Sequence, residues 1–236
     1  MSAPHTTDMS HTDTLVLLSG GLDSAVLVAS EVRTRPVHPV YVSVGLAWEA
    51  SERRMVERLL STPPYAANVA PVARLDFNMR DVYAPTHWAI TGHPPAYDTR
   101  DEDVYLTGRN LVLLTKAGVM AVAKGMNRIA LGPLAGNPFP DARPAFFEAM
   151  SRALSLGLDR PIEIVTPIAE LHKEDVIRLG ATLGVPFELT LSCMNPQAGD
   201  DLPLHCGMCS KCRERRDAFV AADIPDPTTY AAVSPR

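Results

Sequence analysis

The feature that most constrains this chain is an abrupt change, near its N-terminus, from an apolar run to a glycine-rich turn and then to a helix. Residues 14–18 read TLVLL, residues 19–24 read SGGLDS and residues 24–29 read SAVLVA. A strand, a glycine turn and a helix form the opening unit of a parallel α/β sheet. Backbone N–H groups in such a turn point at an anion, and the helix N-terminus adds a favourable potential. The segment therefore predicts an α/β fold with an anion site in its first loop.

Further segments continue the alternation of strands and helices. Four more apolar stretches predict strands: 39–44, 72–76, 127–132 and 162–165. Segments with apolar residues at helical spacing predict the intervening helices: 48–60, 110–124, 144–156 and 173–183. In the helix at 48–60 the charged residues occupy the other face, which we expect to meet solvent. These residues are Glu49, Glu52, Arg53, Arg54, Glu57 and Arg58.

The composition is that of a globular protein without a general preference for polyanions. The 236 residues are 46% hydrophobic and 21% charged, with a net charge of −5, so one α/β domain with a small appendage can bury a substantial core. Because nucleic-acid binding depends on clustered Lys and Arg, this charge argues against a general polyanion binder and we predict no nucleic-acid partner, with a local basic patch left open. No stretch approaches the ~20 apolar residues of a membrane span, and the N-terminus lacks the layout of a signal peptide. We expect a cytoplasmic protein with no membrane partner.

Composition also divides the chain into four segments. Residues 1–13 are polar and rich in Ser, Thr and His, which predicts a disordered leader. An α/β domain that carries the glycine-rich turn is expected at 14–190, a small cysteine-bearing segment at 191–222 and a Pro-rich tail at 223–236. Within the α/β domain, residues 85–108 lack periodicity. A loop of this length in a compact domain is either a substrate lid or an irregular surface loop.

All four cysteines fall in the C-terminal segment and have the spacing of a metal site. Cys193 is followed, after twelve residues, by Cys206, Cys209 and Cys212 in a C-x-x-C-x-x-C arrangement. In a reducing compartment, four clustered thiols favour Zn²⁺ in a closed, tetrahedral, structural site. An iron–sulfur cluster is one alternative, because C-x-x-C-x-x-C also occurs in ferredoxins, and four unligated thiols are the other. His205 is expected to be a bystander. The basic residues after the last cysteine are expected on a solvated helix face: Lys211, Arg213, Arg215 and Arg216.

The SGGLDS turn resembles the signature of the PP-loop ATP pyrophosphatases. It is not a Walker A loop, since G-x-x-x-x-G-K-[ST] is absent, and cleavage at the γ-phosphate is not implied. The resemblance implies a Rossmann-like parallel sheet of the adenine nucleotide alpha hydrolase type, with ATP across the carboxyl ends of its strands. It also implies cleavage between the α- and β-phosphates, with Mg²⁺ offsetting charge on the departing pyrophosphate. The expected ATP-binding residues are Leu18, Ser19, Gly20, Gly21, Leu22, Asp23, Ser24, Ala25, Val26, Leu27 and Val28.

The turn and the cysteines together resemble the 7-cyano-7-deazaguanine synthase family. Further short motifs occur in the order typical of that family, over about residues 14–222: GRN at 108–110, PDARP at 140–144, TP at 166–167 and LHKE at 171–174. The resemblance implies a homodimeric ligase that forms C–N bonds in queuosine biosynthesis. Family members convert 7-carboxy-7-deazaguanine and ammonia to the nitrile, by adenylating first the carboxylate and then the amide.

Three residues take an expected catalytic role from this resemblance. Asp23, in the turn, is expected to orient the loop or to help hold Mg²⁺. Lys173, at the start of a predicted helix, is expected to reach the ATP phosphates. Arg109 is expected either to bridge phosphates or to pair with a carboxylate. A carboxylate substrate is a poor electrophile until it is esterified to AMP, so charged groups that stabilise the adenylation are what the reaction requires.

Three further residues are expected to bind the substrate. Asp141 suits a guanine-like edge, and Arg143 suits a carboxylate because Arg binds carboxylates in a bidentate geometry. Phe139 is expected to stack on the base or to fill core. The stretch 135–139 reads AGNPF, where many family members have Asp-Tyr-Ser-Gly-Tyr, and we expect it to lie against the deazaguanine. A paralogue that adenylates a related carboxylate and joins it to another amine is therefore the alternative function.

Two other functions are known among PP-loop and nucleotide-binding proteins. Sulfur transfer to tRNA requires a redox cluster or a catalytic persulfide cysteine, together with a basic surface. Here every cysteine fits the metal site and the net charge is −5, which argues against thiolation. A sensor would bind ATP without cleaving it, and the presence of both Asp23 and Lys173 argues against that function.

Overall fold

The computed structural model describes residues 13–65 and 69–232, and its centre is a five-stranded parallel sheet. The strands are β1 (Thr14–Leu17), β2 (Val37–Ser43), β3 (Ala73–Asp76), β4 (Arg128–Ala130) and β5 (Glu163–Val165). They lie in the order β3-β2-β1-β4-β5. The direction of winding reverses between β1 and β4, and open α/β sheets bind ligands at such a reversal, outside the carboxyl ends of the strands. The predicted Rossmann-like α/β fold is confirmed.

Helices cover both faces of this sheet. Those in the described residues are α1 (Leu22–Glu31), α2 (Glu49–Leu60), α3 (Trp88–Thr91), α4 (Arg109–Ala123), α5 (Pro144–Leu158), α6 (Lys173–Thr182) and α7 (Ser210–Ala222). Strand β1 shows the two-sided burial that parallel sheets require. Val16 packs with α1, α2, α6 and α7, whereas Leu15 and Leu17 pack with α4 and α5.

The second strand begins earlier than the sequence predicts, at Val37 rather than at position 39, and it accommodates Pro39. A proline in a central strand would normally cost a ladder hydrogen bond. Here Leu18 N–H donates to the Val40 carbonyl at 2.9 Å, so Val40 faces β1 and Pro39 faces the opposite side. Pairing with β3 starts only at Val40 and Ala73. The missing N–H of Pro39 therefore lies between an isolated bridge, which joins Val37 to Val69, and the start of the ladder with β3.

Residues 85–108 pack into the molecule beside the carboxyl ends of the strands. They contain α3 and a short 3₁₀ helix, Asp101–Val104. Ala89, Val104 and Leu106 are buried in an apolar cluster that also holds Trp48 and the cysteines. The segment is thus part of the folded core at this end of the sheet, and its function as a substrate lid remains a prediction.

The two chain ends lie partly outside the described residues. Of the predicted leader only Asp13 is described, and its carboxylate lies 2.8 Å from His38 Nε2. The predicted tail is described up to residue 232, and it packs on the cysteine segment, where His205 N–H donates to the Thr229 carbonyl at 3.1 Å. Within the described ranges, each helix is too short or too polar to cross a membrane.

Candidate active site and metal centre

A cavity of about 580 Å³ opens at the carboxyl ends of the strands. Its walls come from the SGGLDS turn, the ends of β1 and β2, residues 131–139, the start of α6 and the first turns of α7. It lies at the reversal of strand order, where the fold places its ligands. Its volume falls within the range of about 300–1,000 Å³ that is usual for small-molecule sites.

The SGGLDS turn leaves the N-terminus of α1 open to this cavity. Gly20 has a φ of +81°, and a Cβ there would lie 3.0 Å from Val56 Cγ2, so only glycine lets the turn cross α2 this closely. Ser19 Oγ accepts from Gly21 N–H at 3.3 Å, and Ser24 Oγ donates to the Gly21 carbonyl at 3.0 Å. No side chain in the described chain caps α1. Its first N–H groups therefore remain available to an anion.

The residues expected to bind ATP divide between the cavity wall and the core. Those that line the cavity are Leu18, Ser19, Gly21, Leu22, Asp23 and Ser24. Gly20 supports the turn from behind, where its carbonyl accepts from Leu191 N–H at 2.8 Å. The remaining four are buried in the core: Ala25, Val26, Leu27 and Val28. Beyond its first turn, α1 packs along the sheet, which turns these side chains away from the cavity.

Alternating charges connect the turn to α7. Lys173 Nζ lies 2.7 Å from Asp23 Oδ2 and 3.3 Å from Glu214 Oε1. Lys211 Nζ lies 2.5 Å from Glu214 Oε2 and 3.3 Å from Asp101 Oδ1. All five side chains line the cavity. The structure thus brings together the two residues that the sequence singles out, Asp23 and Lys173, and adds three that no motif indicates.

This arrangement keeps its members charged. Burial disfavours the ammonium form of Lys173, but Asp23 and Glu214 outweigh it and raise the pKa of Lys173 above its usual value. Burial likewise opposes ionisation of Glu214, but Lys173 and Lys211 outweigh it and lower the pKa of Glu214 to about 2. Asp23 Oδ1 is buried and has no hydrogen-bond partner among the described residues. Such an oxygen is uncommon unless a ligand or cation occupies its free side.

The four cysteines form a compact, buried group whose sulfur atoms all lie within 4.8 Å of one another. Backbone N–H groups surround them: Cys193 Sγ accepts from Asn195 and Cys206, and Cys206 Sγ accepts from Met208, at 3.2–3.3 Å. Such donors stabilise thiolates. Cys209 and Cys212 also sit at the N-terminus of α7, whose dipole favours negative charge. The predicted C-terminal cluster that can hold a metal is confirmed.

His205 lies beside this group and outside it. Its Nε2 accepts from Ser192 N–H at 3.1 Å. Burial lowers the pKa of His205 to about 3, so the ring stays neutral and acts as a hydrogen-bond acceptor for the backbone. The four cysteines alone make up the set of potential metal ligands found in the described residues, which agrees with the bystander role expected for His205.

Comparison with known proteins identifies the family. A family model described as "Queuosine biosynthesis protein QueC" matches residues 13–223, which include both the SGGLDS turn and the four cysteines. The chain belongs to this family. The 7-cyano-7-deazaguanine synthase of Methanothrix thermoacetophila is 34% identical over 225 residues, which cover 91% of this chain and 96% of that protein. The protein of the same name from Methanopyrus kandleri is 36% identical over 235 residues, covering 92% and 98%. The resemblance inferred from the motifs is confirmed.

In this QueC family member, two of the three expected substrate residues reach the cavity. Asp141 Oδ2 accepts from Asn110 N–H at 3.1 Å, and burial raises the pKa of Asp141. Phe139 stacks on Tyr105 with ring centroids 5.1 Å apart, and both rings line the cavity. Arg143 is exposed and lies outside the lining, because the backbone enters α5 at this residue. Its role in substrate binding remains a prediction.

The polar face predicted for α2 is wrong at two positions. Glu49 and Glu52 are only 5% and 6% exposed. Glu52 accepts from the Tyr41 hydroxyl at 2.6 Å and from Trp48 Nε1 at 3.1 Å. Glu49 accepts from Val44 N–H at 2.7 Å. Donors from β2, from Val44 directly after it and from Trp48 thus satisfy both carboxylates inside the fold, which helical periodicity alone does not reveal.

Arg109 lies near these carboxylates, and either of its two expected functions is compatible with its position. It lines the cavity, and its positive charge lowers the pKa of Glu52 against the larger effect of burial. Its buried Nε has no hydrogen-bond partner in residues 13–65 and 69–232. Arg109 therefore has a donor left over for a ligand while it also offsets the charge of a buried carboxylate.

The solvated helix face predicted for α7 is wrong at Arg215, which is completely buried. Arg215 donates to Thr190 Oγ1 at 2.9 Å, to the Phe187 carbonyl at 2.8 Å and to Thr228 Oγ1 at 2.6 Å. Its Nε also lies 3.6 Å from Asp226 Oδ1. The guanidinium joins α7 to the segment before Cys193 and to the tail, and this packing is what removes it from water.

We predict that Arg215→Met lowers the free energy of unfolding by about 3–5 kcal/mol, because removing one member of a buried ionic network leaves the others unpaired. Methionine fills much of the volume but donates no hydrogen bond to Phe187, Thr190 or Thr228. Arg33→Met, at an exposed position after α1, is the matched control and should change stability by less than about 0.5 kcal/mol. Denaturant unfolding measures both variants. Equal stability of the two would contradict the structural role of Arg215.

Proposed function

We propose that this chain is a C–N bond-forming ligase that converts 7-carboxy-7-deazaguanine and ammonia to 7-cyano-7-deazaguanine, and that it cleaves two ATP to AMP and pyrophosphate. The observation that carries the proposal is a single cavity shared by the SGGLDS turn, the Asp23–Lys173 pair and Asp141. The groups that suit ATP and the group that suits the substrate to be adenylated therefore line the same cavity. Membership of the QueC family over residues 13–223 supports the same reaction.

The proposed chemistry uses adenylation twice. In the first adenylation a carboxylate oxygen bonds to the α-phosphorus of ATP and pyrophosphate leaves. Nitrogen then bonds to the acyl carbon, and the C–O bond to AMP breaks. In the second round the amide oxygen bonds to the α-phosphorus of another ATP. Nitrogen then loses both of its protons, and the C–O bond to AMP breaks with its electron pair staying on AMP, which gives the nitrile. Both rounds need a cationic, water-poor site at the α-phosphate, where charge develops during the reaction.

The residues of the turn are suited to hold ATP. The open N–H groups at the start of α1 and the hydroxyls of Ser19 and Ser24 can donate to phosphate oxygens. Lys173 and Arg109, which also line the cavity, supply positive charge. Mg²⁺, when bound, would offset charge on the departing pyrophosphate. The carboxylate of Asp23 fits it, because its Oδ1 is buried with no partner in the described chain and Mg²⁺ prefers carboxylate oxygen.

For the cysteine cluster we propose Zn²⁺. Zn–S bonds of about 2.3 Å in a tetrahedron put the sulfur atoms about 3.8 Å apart. Cys212 Sγ lies 3.9 Å from Cys206 Sγ and 3.5 Å from Cys209 Sγ, which fits one ion. The thiolates of an iron–sulfur cluster bind different iron atoms and would need wider spacing. Zinc in a closed set of four thiolates supplies folding free energy and leaves no position for substrate.

The substrate proposed for the other wall is the deazaguanine. Asp141, held by Asn110, offers carboxylate oxygens to the N–H groups of a guanine-like edge, and the Phe139–Tyr105 pair offers an aromatic surface. Residues 135–139, which read AGNPF, form part of the wall. Because this stretch departs from the pattern common in the family, a related carboxylate joined to another amine is the second candidate.

Product analysis tests the proposed function. Incubation with ATP, Mg²⁺, ammonium and 7-carboxy-7-deazaguanine should yield first the amide and then the nitrile by mass spectrometry, with two AMP formed per nitrile. Asp141→Asn should lower kcat/KM for the carboxylate by about ten- to a hundredfold, because a buried polar partner is lost. KM for ATP should not change. Arg143→Ala, outside the cavity, is the comparison.

The outcomes separate the candidates. One AMP per turnover with transfer to an amine other than ammonia would favour the second candidate over the first. Failure of the wild-type chain to form AMP from this carboxylate would contradict the proposed reaction. If Arg143→Ala impairs use of the deazaguanine as much as Asp141→Asn does, then the carboxylate site extends beyond the cavity wall.

We also propose that the chain acts in the cytoplasm on small molecules, as a homodimer. The four buried cysteines form no disulfide in the described chain, which suits a reducing compartment. The net charge of −5 disfavours general binding to nucleic acids, since such binding rests on clustered positive charge. The homodimer is proposed from the family resemblance alone.

A further inference from the structure

The two tryptophans of the chain form a stacked pair in the cavity wall, and one of them, Trp48, contacts a buried carboxylate. Trp48 and Trp88 stack with ring centroids 5.8 Å apart and an interplanar angle of 7°. Trp48 Nε1 donates to Glu52 Oε1 at 3.1 Å, and the Tyr41 hydroxyl donates to Glu52 Oε2 at 2.6 Å. All four side chains line the cavity. The wall therefore presents aromatic surface and a single, well-held carboxylate side by side.

Glu52 also lies close to the turn proposed for ATP. The main-chain oxygen of Glu52 is 3.3 Å from the position that a Cβ on Gly20 would occupy, so α2 passes directly behind the SGGLDS turn. The Glu52 side chain extends from there toward Tyr41 at the end of β2. A small molecule bound at Glu52 would thus be a near neighbour of the phosphate loop.

The surroundings of Glu52 suit a proton acceptor. Burial raises the pKa of Glu52, as does the charge of Glu49 on the same helix. Arg109 from α4 and the hydrogen bonds from Tyr41 and Trp48 act in the opposite direction, but burial outweighs them. Raising the pKa of a carboxylate makes it a stronger base when it is ionised. No step of the reaction described above uses this group.

We propose that Glu52, Trp48 and Trp88 form the binding site for the nitrogen nucleophile, as an ammonium ion or a primary ammonium group, and that Glu52 accepts its proton. Aromatic faces attract ammonium groups, most strongly where water is excluded, and the carboxylate supplies the opposite charge. The catalytic part of this inference rests on the proposed function, whereas the binding part does not.

The step balances without a further reactant. Glu52 takes one proton from the ammonium group, and the freed lone pair bonds to the acyl carbon of the adenylate. The C–O bond to AMP breaks and its electron pair stays on AMP. The remaining excess proton on nitrogen leaves with the AMP phosphate, which gives the neutral amide.

Binding is tested by intrinsic fluorescence, because both tryptophans are in this site. Ammonium chloride is titrated into the full-length protein against sodium chloride at equal ionic strength. A saturable change in emission is expected for the wild type. In Glu52→Gln the ammonium concentration that gives half of this change should rise at least tenfold. Glu57→Gln is the matched control and should respond as the wild type does, because Glu57 is an exposed carboxylate on the same helix that pairs with Arg74 outside the cavity. A wild type without a saturable response, or an unchanged response in Glu52→Gln, would overturn the site.

Catalysis is tested by separating the two half-reactions. Exchange of labelled pyrophosphate into ATP, without ammonium, reports adenylation and should stay within about twofold of wild type in Glu52→Gln. Amide formation on adding ammonium should fall by about 10²-fold or more, the usual contribution of a positioned base. If KM for ATP rises instead, Glu52 belongs to the nucleotide site and the inference is wrong. If even the wild type shows no exchange, the proposed function fails while the fluorescence result stands. If Glu52→Gln does not fold, Glu52→Asp is the substitute, because it keeps the carboxylate but moves it away from the site by one methylene. It should likewise retain pyrophosphate exchange and lose amide formation.

Discussion

Asp23→Asn is expected to lower AMP formation by about 10³-fold, comparable to the loss of a group that stabilises transition-state charge, while the protein remains folded. The carboxylate of Asp23 contacts Lys173 at 2.7 Å and keeps a buried Oδ1 without a partner among the described residues. Asparagine preserves the shape and one oxygen but removes the negative charge that suits Mg²⁺ and balances Lys173. Glu214, at 3.3 Å from Lys173, still holds the lysine, so the fold should survive.

The measurement is AMP quantification together with circular dichroism. Asp159→Asn is the matched control, because it makes the same chemical change at an exposed residue at the end of α5. Asp159 has a φ of 50°, a left-handed conformation that asparagine also adopts readily. The control should retain wild-type turnover. If Asp23→Asn forms AMP at the wild-type rate, the carboxylate has no part in the mechanism. The turn would then act on ATP through its backbone N–H groups alone.

Cys206→Ser is expected to abolish metal binding and to unfold most of the protein at physiological temperature. Structural zinc sites contribute roughly 10 kcal/mol or more to folding, which is comparable to the whole free energy of unfolding of a typical domain, about 5–15 kcal/mol. Cys206 is buried and its sulfur also accepts a backbone N–H from Met208 at 3.3 Å. Loss of the ion would leave three buried thiols without their common partner.

Elemental analysis and thermal unfolding test this prediction. The wild type should contain about one Zn²⁺ per chain, the content expected of one closed site of four thiolates. Met208→Ser is the control, because Met208 lies between two of the cysteines but is 42% exposed, and it should keep both metal and stability. Iron with labile sulfide in the wild type would favour the cluster alternative. A stable, metal-free Cys206→Ser protein would show that the thiols pack without an ion.

Much of the fold could be predicted because its signals are local. The apolar run, the glycines and the following helix that form β1, the turn and α1 are consecutive in sequence, so their order alone fixes the geometry. The cysteine spacing is equally local, and it correctly indicates a cluster that can hold a metal. The motif at 140–144 was informative only in part. Asp141 reaches the cavity, but Arg143, two residues later, is exposed because the chain has begun α5.

Glu52 and Arg215 could not be predicted, because their burial depends on partners from other elements. Helical periodicity assigns both to a polar face. The donors that satisfy Glu52 come from Tyr41 on β2 and from Trp48, and the acceptors that satisfy Arg215 come from residues near Thr190 and Thr228. Charged residues are buried only when such partners are present. Only the tertiary structure brings those partners together.

Helix α7 joins the cysteine cluster to the SGGLDS turn. Within one turn it carries a cysteine of the cluster, Cys212, and the carboxylate that holds Lys173, Glu214. Further along, Phe219 packs edge-on against Phe187 in the same core as α1. A chain shortened at residue 190 would retain the whole SGGLDS sequence, yet it would lose the Leu191 N–H that binds Gly20, one carboxylate beside Lys173 and part of its apolar interior. The SGGLDS turn therefore depends on contacts from both ends of this chain, and we expect it to lose its structure when it is moved alone into another protein.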